Sequence, residues 1–294
     1  MFSKLNILFL ICLIPLAAYA VDIYKYKDEN GDWVLGDKKP EVESEKLDVK
    51  INQKTDIEPE LIPQIIDGVE VLSVKNPFYA PVEIIVQSRV FEKKGLRAVI
   101  EADTTAVIYD GEEDHSDAKL YWGFGDPAAV PDNEPYQIPT DHHAKLEVTQ
   151  SFRGRFSHSA EPNVYAVDIA MDVGTYVTAA KAGTVFYVKD DYYQSGQKEF
   201  FADKANVVMI LHEDGTYASY AHLLGGTALV KPGDVVAAGT RVGRSGSSGY
   251  STGPHLHFVI RRNAGLRSVS VPFEFIDKSG QRFIPKTRMF VGGK

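Results

Sequence analysis

Short apolar runs separated by turn residues dominate the chain from about residue 61 onward. Residues 61–145 carry runs such as "VEIIVQSRVF", "TAVIY" and "KLYWGF", and segments rich in Pro, Gly and Asp separate them. Short runs with regular turn signals are typical of the strands of a β-sandwich. We find no amphipathic helix of three or more turns and no repeat of fixed period. The pattern therefore predicts a β-sandwich-like domain over residues 61–145.

Residues 146–266 continue in the same manner with more glycine. Runs such as "YAVDIAM", "ANVVMILH" and "HLHFVI" are four to eight residues long and end on Gly, Asp or Pro. We predict an all-β fold class, with a second β domain over residues 146–266. Arg and Lys accumulate in residues 267–294, which we interpret as a basic C-terminal tail with a solvated face or, alternatively, a contact with an anionic polymer.

The N-terminal sixty residues divide into two parts. "MFSKLNILFLICLIPLAAYA" has an early lysine, an apolar run and a small-residue end, which is the pattern of a secretory signal peptide cleaved after Ala20. In residues 21–60, "YKYK" and "WVL" read as two strands joined by the turn "DENGD". That segment resembles a small module common in exported bacterial proteins and is followed by a polar linker. We expect a periplasmic or secreted protein with no membrane span after signal cleavage.

Composition narrows the classes of partner and the source of stability. The 294-residue chain is 44% hydrophobic and has a net charge of −8, which gives no reason to expect nucleic acid as a partner. The only cysteine, Cys12, lies in the predicted signal peptide. An exported chain without disulfides depends on its core or on a bound metal for stability.

Candidate chemistry begins with the histidines of "TGPHLHFVI". In a strand, His255 and His257 share one face, while Leu256 lies on the other. One imidazole could bind a metal and the other could reach a water bound to it, although such a pair is also found at surfaces and in cores. A catalytic zinc keeps three protein ligands and one open position, so two more ligands must come from elsewhere. Asp168 interrupts the apolar run "YAVDIAM", where a carboxylate is costly to bury without a partner such as a divalent cation.

Three segments in order resemble the lysostaphin/LytM-type zinc endopeptidases of bacterial cell walls. They are "SHSAEPNVYAVDIAMDVGTYVTAAKAGTV", "YASYAHL" and "VKPGDVVAAGTRVGRSGSSGYSTGPHLHF". The resemblance covers about residues 150–260 and implies a LytM-type antiparallel β-sheet peptidase domain with one Zn²⁺ ion. It implies His158, Asp168 and His257 as zinc ligands, and His222 and His255 as the further active-site histidines.

One spacing departs from the best-known members of that family. They carry a histidine four residues before the aspartate, where this chain has Val164. His158 instead lies ten residues before Asp168. A branch of the family with "F-S-H" before "Y-A-x-D" has this longer loop, and the sequence resembles that branch.

The resemblance implies hydrolysis of peptide cross-links of peptidoglycan by a zinc-activated water, with stem peptides as the substrate. Two alternatives remain open at this point. One is a non-catalytic relative that activates a cell-wall amidase. The other is a cell-wall-binding β module, because "KAGTVFYV" and "VKPGDVVAAGTRVG" resemble hairpins of biotinyl or lipoyl carriers. The N-terminal module could bind an unknown protein partner.

The remaining histidines have weaker patterns. His142 and His143 in "TDHHAK" and His115 in "EEDHSD" are expected in exposed loops. His212 ends an apolar run before a turn, which indicates a structural or exposed role.

Overall fold

The computed structural model describes residues 23–27, 33–36, 39–47, 57–91, 94–111 and 115–293. The predicted signal peptide over residues 1–20 lies outside the described residues. The described chain is almost entirely β, and its one helical segment is a single 3₁₀ turn, Glu199–Phe201. The all-β prediction is confirmed. No helix within the described ranges is long and apolar enough to cross a membrane.

Three short strands form the described part of the N-terminal module: β1 (Ile23–Lys27), β2 (Trp33–Gly36) and β3 (Ser44–Leu47). β1 pairs antiparallel with both of the others, so the two strands expected from the sequence lie side by side. Its role stays a prediction.

Six strands follow: β4 (Glu60–Ile66), β5 (Val69–Asn76), β6 (Val82–Gln87), β7 (Leu96–Ile100), β8 (Thr104–Tyr109) and β9 (Lys119–Phe124). They form two three-stranded sheets, in the orders β4-β5-β8 and β7-β6-β9. One apolar cluster includes buried residues from both sheets, such as Leu72 and Val74 from the first and Ile84 from the second. Two sheets that share one core form a sandwich.

The other strands build the second domain. They are β10 (Tyr136–Gln137), β11 (Lys145–Gln150), β12 (Val167–Ala170), β13 (Tyr176–Thr178), β14 (Gly183–Lys189), β15 (Ser195–Gly196), β16 (Val207–Leu211), β17 (Tyr217–Ala221), β18 (Val235–Val236), β19 (Arg241–Arg244), β20 (Gly249–Tyr250), β21 (His255–Asn263), β22 (Ser268–Ser270), β23 (Phe275–Ile276), β24 (Arg282–Phe283) and β25 (Phe290–Gly292). The main sheet runs β18-β14-β16-β17-β21-β12-β11-β25, and β22 pairs with β21 beside it. β15 pairs with both β20 and β2, which connects the N-terminal module to this domain.

Strand alternation separates the two faces of the main sheet. Val167 and Ile169 of β12 and Leu256 and Phe258 of β21 are fully buried in the main core. Because successive side chains in a strand point to opposite faces, the intervening Asp168 lies on the other face. The core therefore occupies one face of the sheet and leaves the opposite face for polar chemistry.

The predicted basic tail supplies part of this core. β25 pairs with β11, and β23 pairs with β10. Phe273, Phe275 and Val291 are buried among the core residues. Apolar residues between the basic ones thus pack against the second domain, while the boundary at residue 267 stays a prediction.

A buried carboxylate joins the sandwich to the second domain. Glu83 of β6 is 5% exposed. Its Oε2 accepts hydrogen bonds from Asn263 Nδ2 at 2.9 Å and from the Leu266 amide at 2.7 Å, while Arg97 contacts Oε1 at 3.0 Å. A buried carboxylate is tolerated when its oxygens are paired in this way. This network fixes the sandwich against the end of β21, the strand that begins with the two histidines.

Candidate metal centre and groove

Strand register brings the candidate residues into one row across the main sheet. Asp168 of β12 lies opposite His257 of β21, and Gln150 of β11 lies opposite Asp168. The row continues through Ala221, Val207 and Lys189 on β17, β16 and β14. Directly opposed residues in adjacent strands lie about 5 Å apart, so their side chains on one face touch.

Three histidine nitrogens converge on one oxygen of Asp168. Asp168 Oδ1 is 2.8 Å from His257 Nδ1, 3.3 Å from His158 Nε2 and 3.8 Å from His255 Nε2. The potential ligand atoms of His158, Asp168 and His257 all lie within 4.8 Å of one another. His158 is fully buried, and Asp168 and His257 are each 7% exposed.

His158 lies in the loop between β11 and β12, where a contact with the backbone fixes its tautomer. His158 Nδ1 is 3.0 Å from the Ser151 carbonyl oxygen, which can only accept, so Nδ1 carries the proton. The other nitrogen, Nε2, then presents a lone pair toward Asp168. Nε2 is buried and has no hydrogen-bond partner among the described residues. A ligating histidine typically has this arrangement, with its second nitrogen donating to a carbonyl.

Asn163 sets the tautomer of His257 in the same way. Arg261 Nη2 donates to Asn163 Oδ1 at 2.6 Å, which identifies that atom as an acceptor. His257 Nε2 is 3.3 Å from the same oxygen and must therefore donate to it. His257 Nδ1 is left with a lone pair that faces the Asp168 carboxylate.

The charge states of Asp168 and His257 decide whether these side chains can act as metal ligands. Burial acts to raise the pKa of Asp168, but hydrogen bonds and charge from His158 and His257, when these rings are protonated, hold the pKa well below its usual range. Burial lowers the pKa of His257, which favours the neutral ring. Three lone pairs on one carboxylate and two neutral imidazoles thus face one buried point. A divalent cation there would remove their mutual repulsion, and two imidazoles with one carboxylate suit zinc.

Gln150 contacts both the second carboxylate oxygen of Asp168 and the loop that carries His158. Its Nε2 donates to Asp168 Oδ2 at 3.0 Å and to Ser157 Oγ at 2.7 Å. Its Oε1 accepts from the Phe156 amide at 3.1 Å. Gln150 therefore leaves Oδ1 as the oxygen that faces the two histidines.

His222 and His255 lie beside this centre. Their ring centroids are 4.6 Å apart, and the ring of His222 is 5.8 Å from that of His257. His222 Nδ1 is 2.7 Å from the Ser248 carbonyl oxygen, and His255 Nδ1 is 2.8 Å from that of Gly253. Both rings therefore carry the proton on Nδ1 and present an Nε2 lone pair when neutral.

The backbone and the environment of His222 are both unusual. Its φ is +64°, in the left-handed region that is uncommon for a residue with a β-carbon and is concentrated at functional sites. Burial, together with the neighbouring His255 and His257, lowers the pKa of His222 to about 3. The ring is therefore neutral, and a proton acceptor, throughout the physiological range.

A groove of about 740 Å³ runs over the row and the centre. Apolar side chains such as Val207 and Met209 form part of its floor, and Phe156 and Tyr250 stack at a centroid distance of 6.4 Å on its wall. Every described residue that lines the groove lies between Thr149 and Arg261. The groove is mixed in polarity, which suits a peptide more than a purely apolar ligand.

The four other histidines lie outside the group of potential ligands. His212 is 2% exposed, and its Nδ1 donates to the Ala182 carbonyl at 2.8 Å. His115 packs against the rings of Phe91 and Tyr109, which differs from the exposed loop position expected for it. His142 and His143 are exposed, as expected.

Sequence reasoning missed three polar residues of the centre: Gln150, Asn163 and Arg261. A polar residue at the end of an apolar strand, as in "LEVTQ", was the available signal for Gln150. Asn163 acts from a loop, and Arg261 acts from the far end of β21. The contact of Asn163 with His257, and that of Arg261 with Asn163, depend on tertiary packing, so no local pattern marks these residues.

Comparisons with known proteins identify a family for part of the chain. The model of the family "Peptidase family M23" matches residues 163–269, a range that contains every candidate residue except His158. Lysostaphin of Staphylococcus simulans is 36% identical over 118 residues, which cover 40% of this chain and 22% of the relative. Peptidoglycan DD-endopeptidase ShyA of Vibrio cholerae is 31% identical over 150 residues, which cover 50% of this chain and 31% of the relative.

The chain thus spans about a fifth to a third of the length of these curated relatives. Among solved structures, the catalytic domain of lysostaphin from Staphylococcus simulans has a TM-score of 0.29 at 30% identity, and the match covers 40% of this chain and 79% of that one. The family resemblance predicted from three sequence segments is confirmed. Residues 163–269 of the chain therefore form a domain of peptidase family M23.

Proposed function

We propose that this chain is a zinc metalloendopeptidase that hydrolyses peptide cross-links of peptidoglycan. One observation carries the proposal: the buried convergence of His158, Asp168 and His257 beside two further histidines in an open groove. The M23 match supports a peptidase, and the names of lysostaphin and of the peptidoglycan endopeptidase ShyA support a cell-wall substrate.

His158 Nε2, Asp168 Oδ1 and His257 Nδ1 are the atoms that would hold the zinc ion. When bound, zinc supplies a water of lowered pKa and polarises the carbonyl of the scissile amide. Gln150 and Asn163 keep Asp168 and His257 in the orientation that this requires.

Proton transfer falls to His222 and His255. Each neutral ring presents Nε2 as an acceptor, because its Nδ1–H is bound to a carbonyl. One of them accepts a proton from the attacking water and passes it to the leaving amine, which is general acid–base catalysis. While it holds that proton, the same Nε2–H also donates to the developing oxyanion. The present contacts fit either assignment.

The substrate binds as an extended segment along the groove. The floor crosses several strands and combines apolar with polar side chains, and the groove is open rather than a closed pocket. This shape fits a polymer-bound stem peptide. The predicted signal peptide indicates that the reaction takes place in the periplasm or outside the cell. The N-terminal module would then bind a protein partner.

Digestion of purified sacculi tests the proposal. The chain without the predicted signal peptide is assayed for bound zinc, and released fragments are identified by mass spectrometry. We expect about one zinc per chain and cross-linked peptides cut at an amide bond. His255→Ala should retain zinc and release no fragments, Asp168→Ala should lose zinc, and the exposed-residue control His142→Ala should resemble the wild type.

The two alternatives give different results in the same assay. A non-catalytic activator of an amidase would release no fragments by itself but would increase release by a purified amidase. A binding module would sediment with sacculi and contain no zinc. Either pattern would contradict the enzymatic proposal.

A further inference from the structure

Arg261 is a groove-lining cation whose role the proposed chemistry leaves open. It lies four residues after His257 on β21, so alternation puts both side chains on the same face of the sheet. Its side chain reaches back along the groove toward the loop that precedes β12, and both Arg261 and Asn163 line the groove. Arg261 is half-buried rather than extended into solvent.

Two neutral oxygens accept hydrogen bonds from the guanidinium of Arg261. Nε donates to the Pro162 carbonyl at 3.1 Å, and Nη2 donates to Asn163 Oδ1 at 2.6 Å. A guanidinium has five N–H donors, so three remain without a protein acceptor in these contacts. The remaining donors lie on the two terminal nitrogens, which form the end-on fork that binds a carboxylate through two parallel hydrogen bonds.

No carboxylate of the described residues forms a salt bridge with Arg261. Glu161 lies in the same loop, but its Oε2 accepts from the amide and hydroxyl of Ser270, at 2.7 and 2.8 Å. Burial lowers the pKa of Arg261, which marks a poorly hydrated cation. The charge of Glu161 also acts on Arg261, but it does so without a salt bridge, so no carboxylate of the described residues occupies the end-on fork.

We propose that Arg261 binds a carboxylate of the substrate close to the scissile amide and so selects peptides that carry an anion there. The inference rests on the proposed function. Asn163 Oδ1 accepts from both Arg261 and His257, so the fork lies one shared atom away from a metal ligand. A carboxylate on the carbon that bears the leaving amine lies within a few bonds of the scissile amide, which is the separation that this placement requires. The residue is thus a specificity determinant for the end of the groove beside His257.

Binding of two product peptides tests this without requiring turnover. One synthetic stem peptide ends in a diamino acid with a carboxylate on the carbon beside the leaving amine. The other carries a carboxamide at that position and is otherwise identical. The affinity of each for the zinc-loaded chain is measured by titration calorimetry. Because hydrogen bonds between two charged groups are the strong ones, we expect the carboxylate peptide to bind the wild type about 10- to 100-fold tighter.

Three variants separate recognition from positioning. Arg261→Gln should remove the preference, and Arg261→Lys should keep only part of it because an ammonium lacks the planar fork. Arg262→Gln is the matched control, since Arg262 points to the opposite face of the same strand. A general weakening through Asn163 and His257 would change both affinities equally and leave their ratio intact.

Several results would overturn the inference: equal affinity of the two peptides for the wild type, an unchanged preference in Arg261→Gln, or no binding of either peptide. Failure of the proposed function is recognised separately. If the chain binds the carboxylate peptide with the expected preference but cuts no cross-link, the subsite is supported and the enzymatic proposal is wrong.

Discussion

Gln150→Met is the substitution that most directly tests how the centre is held. The side chain keeps a similar length and volume but loses the amide. Asp168 Oδ2 loses a donor at 3.0 Å, and the loop amide of Phe156 loses an acceptor at 3.1 Å. Asp168 is then free to rotate its carboxylate away from the point that its Oδ1 shares with the two imidazoles.

The expected loss follows from the kind of contact removed. Residues that orient metal ligands typically change metal affinity 10- to 100-fold when they are replaced. A tenfold change corresponds to about 1.4 kcal/mol, so the expected loss in zinc binding is about 1.4 to 2.7 kcal/mol. The upper end applies here because Gln150 contacts both the ligand and the loop that carries His158.

Competition with a chromogenic chelator at pH 7 measures the zinc affinity of wild type and variant. Urea unfolding of both metal-free forms shows whether the fold survives. Gln87→Met is the control, because Gln87 is an exposed glutamine at the end of β6, away from the centre. A folded Gln150→Met chain that binds zinc within twofold of the wild type would refute the reasoning, since the orientation of Asp168 would then be independent of Gln150.

Three further outcomes are expected. Glu83→Gln should lower the free energy of unfolding by about 1 to 3 kcal/mol in urea, because an amide cannot accept from all the donors now facing the buried carboxylate. His212 should destabilise the folded chain below pH 6.5. Burial lowers its folded-state pKa to about 4, so the unfolded chain takes up the proton first as the pH falls. The free energy of unfolding should therefore decrease by about 3 kcal/mol between pH 6.5 and pH 4. Removal of the metal with a chelator should lower the thermal midpoint of the wild type and leave that of Asp168→Asn unchanged.

Each of these three predictions has a control variant or a result that would contradict it. For the carboxylate, Glu101→Gln on an exposed turn should unfold like the wild type, and equal behaviour of the two variants would contradict the interface role of Glu83. His212→Asn keeps a donor for the Ala182 carbonyl but does not titrate, so it should lose less stability at low pH than the wild type. A chelator effect of the same size in Asp168→Asn would show that the metal is bound elsewhere.

Local sequence pattern determined much of this protein. Alternation in "YAVDIAM" is enough to place Asp168 on the face opposite Val167 and Ile169, and alternation in "HLHF" puts His255 and His257 on one face. Turn residues at short intervals predict strands rather than helices. These features depend on side chains a few residues apart, which strand geometry alone relates.

The tertiary structure decided everything that joins distant segments. Asp168 and His257 are 89 residues apart, and only the register of β12 against β21 makes them neighbours. A register shift of one residue would turn His257 to the other face, and no local pattern encodes the register between strands so far apart. The tautomers of His158 and His257, and the position of Arg261 beside them, follow from contacts with loops that packing brings together. Sequence thus named the candidate ligands, and packing gave them their geometry.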